Sequence, residues 1–134
     1  MYRYWLAFFQ EEELSTGSTT ESLAILNPTI YQQLVRLSSH EVITQVYAEF
    51  IQECNSLFHL LDANSGAVPT EEILRDIHTI KGNSGTLGAA QVHMLCEKIE
   101  LKAKLCEFSQ FPVEIIELKE ALAAFKQVIS DRFA

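Results

Sequence analysis

Residues 42–61, VITQVYAEFIQECNSLFHLL, repeat Val42, Ile43, Val46, Tyr47, Phe50, Ile51, Cys54, Leu57, Phe58 and Leu61 at three- and four-residue steps. That spacing gathers apolar side chains along one face of an α-helix, where a half-buried strand would alternate every second residue. Ser39 stands where an N-cap would. A helix apolar on one side is stable only against other apolar faces, so the flanking sequence has to supply them.

Toward the C-terminus, DANSGAVP (62–69) breaks the pattern, and Thr70 caps a second helix whose first turn carries Glu71 and Glu72 at the positive end of the macrodipole. Ile73, Ile77, Ile80, Ser84 and Leu87 form its inward stripe, and Gly88 ends it. A third helix is expected from about Ala89 to Cys106 with Val92, Leu95, Cys96 and Ile99 inward. A fourth follows Pro112 with Ile115, Leu118, Leu122, Phe125 and Ile129. Toward the N-terminus, Asn27-Pro28 starts a short helix with Ile30, Leu34 and Leu37 on one face. Nothing reads as a strand.

The expectation is an all-α fold, an antiparallel up-down four-helix bundle with additional short N-terminal helices. STGSTTES (15–22) is a polar linker, and MYRYWLAFF (1–9) is expected to pack Trp5, Leu6 and Phe9 as a short helix. The chain thus divides into residues 1–22, an aromatic helix and linker, and residues 23–134, the bundle. The apolar N-terminal run is too short for a membrane span, which needs ~20 residues, and lacks a small-residue cleavage site.

The 134 residues are 48% hydrophobic, enough for one core, and 18 acidic against 10 basic residues give a net charge of −8. Phosphate backbones and anionic membranes repel such a chain, so neither nucleic acid nor membrane insertion is expected. The three cysteines, Cys54, Cys96 and Cys106, make no CxxC pair and read as small buried hydrophobes in a reducing cytoplasm. No zinc site is expected.

One stretch departs from helical economy: IHTIKGNSGTLG (77–88) holds Gly82, Gly85 and Gly88, and each glycine inside a helix costs about 1 kcal/mol relative to alanine. At ~100° per residue, His78 points roughly 140° from the core direction, with Gly82 and Gly85 about 40° and 20° from the histidine. Bare backbone beside an exposed imidazole admits another protein's surface. Lys81 and Arg75, one turn to either side, form a cationic collar suited to a group that acquires negative charge, as a phosphorylated ring nitrogen does. His40, His59 and His93 lack a glycine one turn later and read as ordinary surface or boundary residues.

HTIKGNSGTLG resembles the His-x-x-Lys-Gly, small polar tract and Leu-Gly signature of histidine-containing phosphotransfer (HPt) domains. LCEKIE (95–100) looks like that family's next helix and LNPTIYQQL like its entry segment, so the resemblance spans roughly residues 23 to 130. It implies a four-helix bundle in which His78 accepts the phosphoryl group, Lys81 steadies it and Gly82 makes room for the partner. Ser84 or a neighbour would hydrogen-bond the far imidazole nitrogen; Asn83 stands where a serine is common.

The implied function is a phosphorelay intermediate of two-component signalling, passing a phosphoryl group between receiver-domain aspartates. The implied partners are response-regulator receivers and a hybrid histidine kinase. The protein itself is expected to be a monomer without kinase activity or cofactor, since no Gly-rich phosphate loop or magnesium-holding carboxylate cluster is present. Mg²⁺ belongs to the receiver. Two alternatives are the phosphoacceptor domain of a chemotaxis-type kinase and a helical adaptor without chemistry.

Overall fold

The computed structural model describes residues 24–64 and 68–133. The expected aromatic helix and linker of residues 1–22, and the boundary drawn after them, lie outside the described residues. Five helices follow in order: α1 (Pro28–Leu37), α2 (His40–Ala63), α3 (Glu71–Leu87), α4 (Ala90–Lys104) and α5 (Phe111–Phe133).

The caps sit where the side-chain chemistry puts them. Asn27 Oδ1 accepts from the amides of Thr29 and Ile30, Ser39 Oγ from that of Val42, and Thr70 Oγ1 from that of Ile73. Each satisfies an amide that has no partner within its helix. Gly88 closes α3 in the left-handed region at φ 81°, and an added Cβ would stand 3.3 Å from Ile30. The left-handed backbone favours glycine there, and a side chain would also press on Ile30.

The long helices close a ring, in which α3 packs on α2 and α4, and α5 packs on α4 and α2; α1 leans on α2 and α3. Sequence neighbours joined by short connections pack antiparallel, so this is the expected up-down bundle. Its core runs through Tyr47, Phe50 and Leu57 of α2, Ile73, Ile77 and Ile80 of α3, Val92, Cys96 and Ile99 of α4, and Leu118, Leu122 and Phe125 of α5. Tyr47 spans the end of the bundle and donates its hydroxyl to the Leu87 carbonyl at 2.8 Å.

Several expected core positions lie outside. Leu37, the last residue of α1, is exposed, and so are Val42 and Val46, because the apolar face of α2 is wider than the surface its neighbours cover. Cys54 and Cys96 are buried, but Cys106 is exposed in the turn after α4 at φ 54°. In the opposite sense, Glu114 is buried and its carboxylate lies 3.0 Å from Lys102 Nζ, an ion pair that joins α5 to α4.

Candidate functional site

Ile77 and Ile80 are buried on either side of His78, so the geometry of α3 turns the histidine outward, with its side chain 67% exposed. The neighbour that meets it comes from α4. Glu100 Oε2 lies 2.5 Å from His78 Nδ1, and its other oxygen, Oε1, accepts from Lys81 Nζ. Lys81 and Glu100 keep only 14% and 16% of their side-chain surface exposed, while the imidazole they serve stays open to solvent.

This corrects the cationic collar. Lys81 lies on the Glu100 carboxylate and Arg75 is exposed one turn before His78, so the ring's immediate neighbour is an anion. A carboxylate can only accept at its own oxygens, so the Glu100 contact holds the imidazole proton on Nδ1 and leaves the Nε2 lone pair facing out. Burial pulls the Glu100 carboxyl upward, but the hydrogen bonds from Lys81 and His78 outweigh it and hold it below the ordinary glutamate range.

Ser84 does not orient the ring. It is fully buried and its hydroxyl donates to the Lys81 carbonyl at 2.9 Å, on the core side of α3. Gly85 is buried as well, so it offers no bare backbone to a partner. Gly82 keeps its expected place: a Cβ there would find nothing within 4 Å. The uncovered backbone beside His78 is therefore one glycine wide. Next to it, Val46, Glu49, Phe50, Glu53, Asn83, Thr86 and Leu87 line a groove of about 310 Å³ between α2 and α3, where Asn83 Nδ2 donates to Glu53 at 2.8 Å.

His93, expected near the surface, is fully buried. Its Nδ1–H donates to the Lys81 carbonyl at 2.8 Å, the same oxygen that Ser84 uses. Together with Glu100 this fixes α4 against the turn of α3 that carries His78. Burial pushes the His93 pKa below its usual value, so the fold holds it neutral. A base whose folded pKa is depressed binds its proton more readily unfolded, so stability is full above about pH 6.5 and falls as pH drops below it. Denaturant midpoints between pH 8 and 5 should show that loss, and His93→Gln should flatten it; an equally steep loss in the variant would assign it elsewhere.

Among the described residues, no group of three or more histidine, cysteine or acidic side chains is placed to hold a metal ion, and no helix is long and apolar enough to cross a membrane. No curated protein and no solved structure matches the chain. A family model does: that of the Hpt domain matches residues 45–128, which take in α3, α4 and most of α2 and α5. That match spans more than half of the sequence and includes His78, Lys81, Gly82 and Glu100, and by it the chain belongs to the Hpt domain family.

Proposed function

We propose that His78 is the phosphoryl acceptor of a phosphorelay intermediate, taking the group from a receiver-domain aspartate and passing it to another. Membership of the family implies histidine phosphotransfer in two-component signalling, and Hpt domains meet receivers and kinases. The observation that carries the assignment to His78 is the contact of its Nδ1 with Glu100 beside an otherwise exposed ring.

In the forward step the Nε2 lone pair forms a bond to phosphorus while the bond from phosphorus to the aspartyl oxygen breaks, and its electron pair leaves on the aspartate. The Nδ1 proton stays where it is. The ring gains positive charge as the N–P bond forms, and the Glu100 carboxylate offsets it from a position it already holds, so little reorganisation is needed. Lys81 keeps that carboxylate ionised through its hydrogen bond to Oε1. The receiver supplies Mg²⁺ and the second carboxylate; this chain supplies a positioned nucleophile.

A receiver would seat on the side of α3 that Gly82 leaves bare. The exposed Val42 and Val46 of α2 and Val35 and Leu37 of α1 offer it an apolar apron. Incubation with a labelled phospho-receiver tests the reading. Label should move to the protein, be lost in acid and persist in base, as a phosphoramidate does; an adaptor without chemistry would take up none.

A further inference from the structure

His93 and Glu100 stand seven residues apart on α4, which puts them on one face of that helix, about 10.5 Å from each other along its axis. Both reach Lys81 of α3, from opposite ends of that residue. The His93 ring donates from Nδ1 to the Lys81 carbonyl at 2.8 Å, and Glu100 Oε1 accepts from the Lys81 ammonium. The lysine is held on α4 at its backbone and at its tip, with only 14% of its side-chain surface exposed. Through its other oxygen the same carboxylate meets His78 Nδ1 at 2.5 Å. A continuous series of contacts therefore runs from the His93 ring to the Lys81 backbone, from the Lys81 ammonium to Glu100, and from Glu100 to the acceptor ring.

By intrinsic propensity the turn that His93 grips is the weakest of α3. Gly82 and Gly85 both fall in the turn after Lys81, and of all residues only proline forms helix less readily than glycine. On the outer side nothing packs to hold that turn, since even a Cβ at Gly82 would meet no atom within 4 Å. The hold comes from the inner side, where Ser84 Oγ at 2.9 Å and His93 Nδ1 at 2.8 Å both donate to the Lys81 carbonyl. Ser84 belongs to the same turn and moves with it. His93 belongs to α4 and ties the carbonyl to the helix that bears Glu100. Its side chain is fully buried, so water does not compete for the bond, and a carbonyl can only accept, so the ring proton sits on Nδ1.

We propose that His93 is a positioning residue for phosphoryl transfer: by holding the Lys81 carbonyl on α4 it keeps the Lys81 ammonium on Glu100 and, through Glu100, the His78 proton on Nδ1. The inference rests on the reading of His78 as the acceptor and places a second residue behind Glu100. His93 acts through Lys81 and Glu100, not on the reacting atoms. The bare backbone at Gly82 and the hold at His93 are then two sides of one arrangement, in which the face opened to a partner is stiffened from behind.

His93→Leu and His93→Asn test this on the full chain, with Val92→Ala as the reference. Leucine fills the buried site without a donor, whereas the asparagine amide can stand where Nδ1 stands and donate to the same carbonyl. Val92→Ala loosens the buried core next to His93 and leaves that hydrogen bond in place. His93→Leu should keep its helix content, mix the His78 tautomers in the imidazole ¹⁵N spectrum, and lower kcat for transfer from a phospho-receiver roughly fivefold, the worth of one hydrogen bond, with KM unchanged. His93→Asn should recover most of both effects. Val92→Ala should lower the thermal midpoint and leave tautomer and kcat at wild type. If the leucine variant does not fold, His93→Met, whose side chain adapts to irregular gaps, takes its place. A wild-type tautomer and kcat in the apolar variant, an equal loss in His93→Asn, or an equal loss in Val92→Ala would each overturn the proposal. A wild type that takes up no label overturns the acceptor reading instead, and the tautomer, read without any phosphoryl donor, still tests the hold of His93 on His78.

Discussion

A chain carrying His78→Gln is expected to take up no phosphoryl group while keeping its helix content and its thermal midpoint. The imidazole contributes almost no packing, for its side chain is 67% exposed and the buried Ile77 and Ile80 beside it hold α3 in place without it. Removing it costs the contact with Glu100, but that carboxylate keeps its hydrogen bond from Lys81. A surface change of this kind moves stability by no more than about 0.5 kcal/mol. The chemistry has no such reserve. The glutamine amide nitrogen has no lone pair able to attack phosphorus, and the other histidines are buried, as His93 is, or exposed elsewhere on α2, as His40 and His59 are. Label appearing on the variant would show that another residue is the acceptor.

The second large effect is expected at Glu100, whose contact with His78 Nδ1 gives it, on the proposed mechanism, the part of a positioning residue. Glu100→Gln keeps the side chain's shape but removes its charge, and its amide can donate to Nδ1 as readily as it accepts, which would move the imidazole proton to the wrong nitrogen. A hydrogen bond to a charged group is worth about 1.5–3 kcal/mol against about 1 for a neutral one. The difference, about 0.5–2 kcal/mol, corresponds to roughly 2- to 30-fold in transfer rate at about 1.4 kcal/mol per decade. Lys81→Ala should fall short of that, because the carboxylate remains. Two readouts separate positioning from mere structure. In the ¹⁵N spectrum of the imidazole, wild type should hold its proton on Nδ1 and the variant should mix tautomers. In acid, wild-type transfer should lose the support of Glu100 only below the ordinary carboxylate value of about 4.3, because the Lys81 and His78 contacts lower the folded pKa. A variant with wild-type rate and an unchanged tautomer would remove Glu100 from the mechanism.

The sequence shows the helices plainly and the site only in part, and the division has a physical reason. Thr70, the stripe from Ile73 to Leu87 and the left-handed Gly88 are local signals: each depends on residues within a few turns, so spacing alone exposes them. The outward direction of His78 follows from the same periodicity. Glu100 is 22 residues away from His78, and only the packing of α4 on α3 brings the two together. One signal was available, since Ala89, His93 and Cys96 continue the buried spacing of α4 and would have placed His93 inside. The burial of Gly85 is not legible from a single core direction drawn through α3, because burial near a helix end depends on elements distant in sequence. Glu114 was unreadable for the same reason as Glu100, since its partner Lys102 lies on another helix.

The attachment of α1 has a consequence for motion. None of its residues is fully buried; it is held by the Asn27 amide on the Gly88 carbonyl at 2.7 Å, by Ile30 against Gly88, and by Tyr31 among Tyr47, Phe133 and Arg132. Apart from these contacts and Leu34 against the core, little ties α1 to the ring of four helices, so α1 is expected to open as a small cooperative unit at a free energy below that of global unfolding. Its amides should then exchange with solvent before those of α3 and α4, which hydrogen-exchange mass spectrometry would show. Half of the apolar apron, Val35 and Leu37, rides on this unit. On the proposed docking, the apron is then expected to adjust to a receiver while the imidazole, carried by α3 within the ring of long helices, keeps its place.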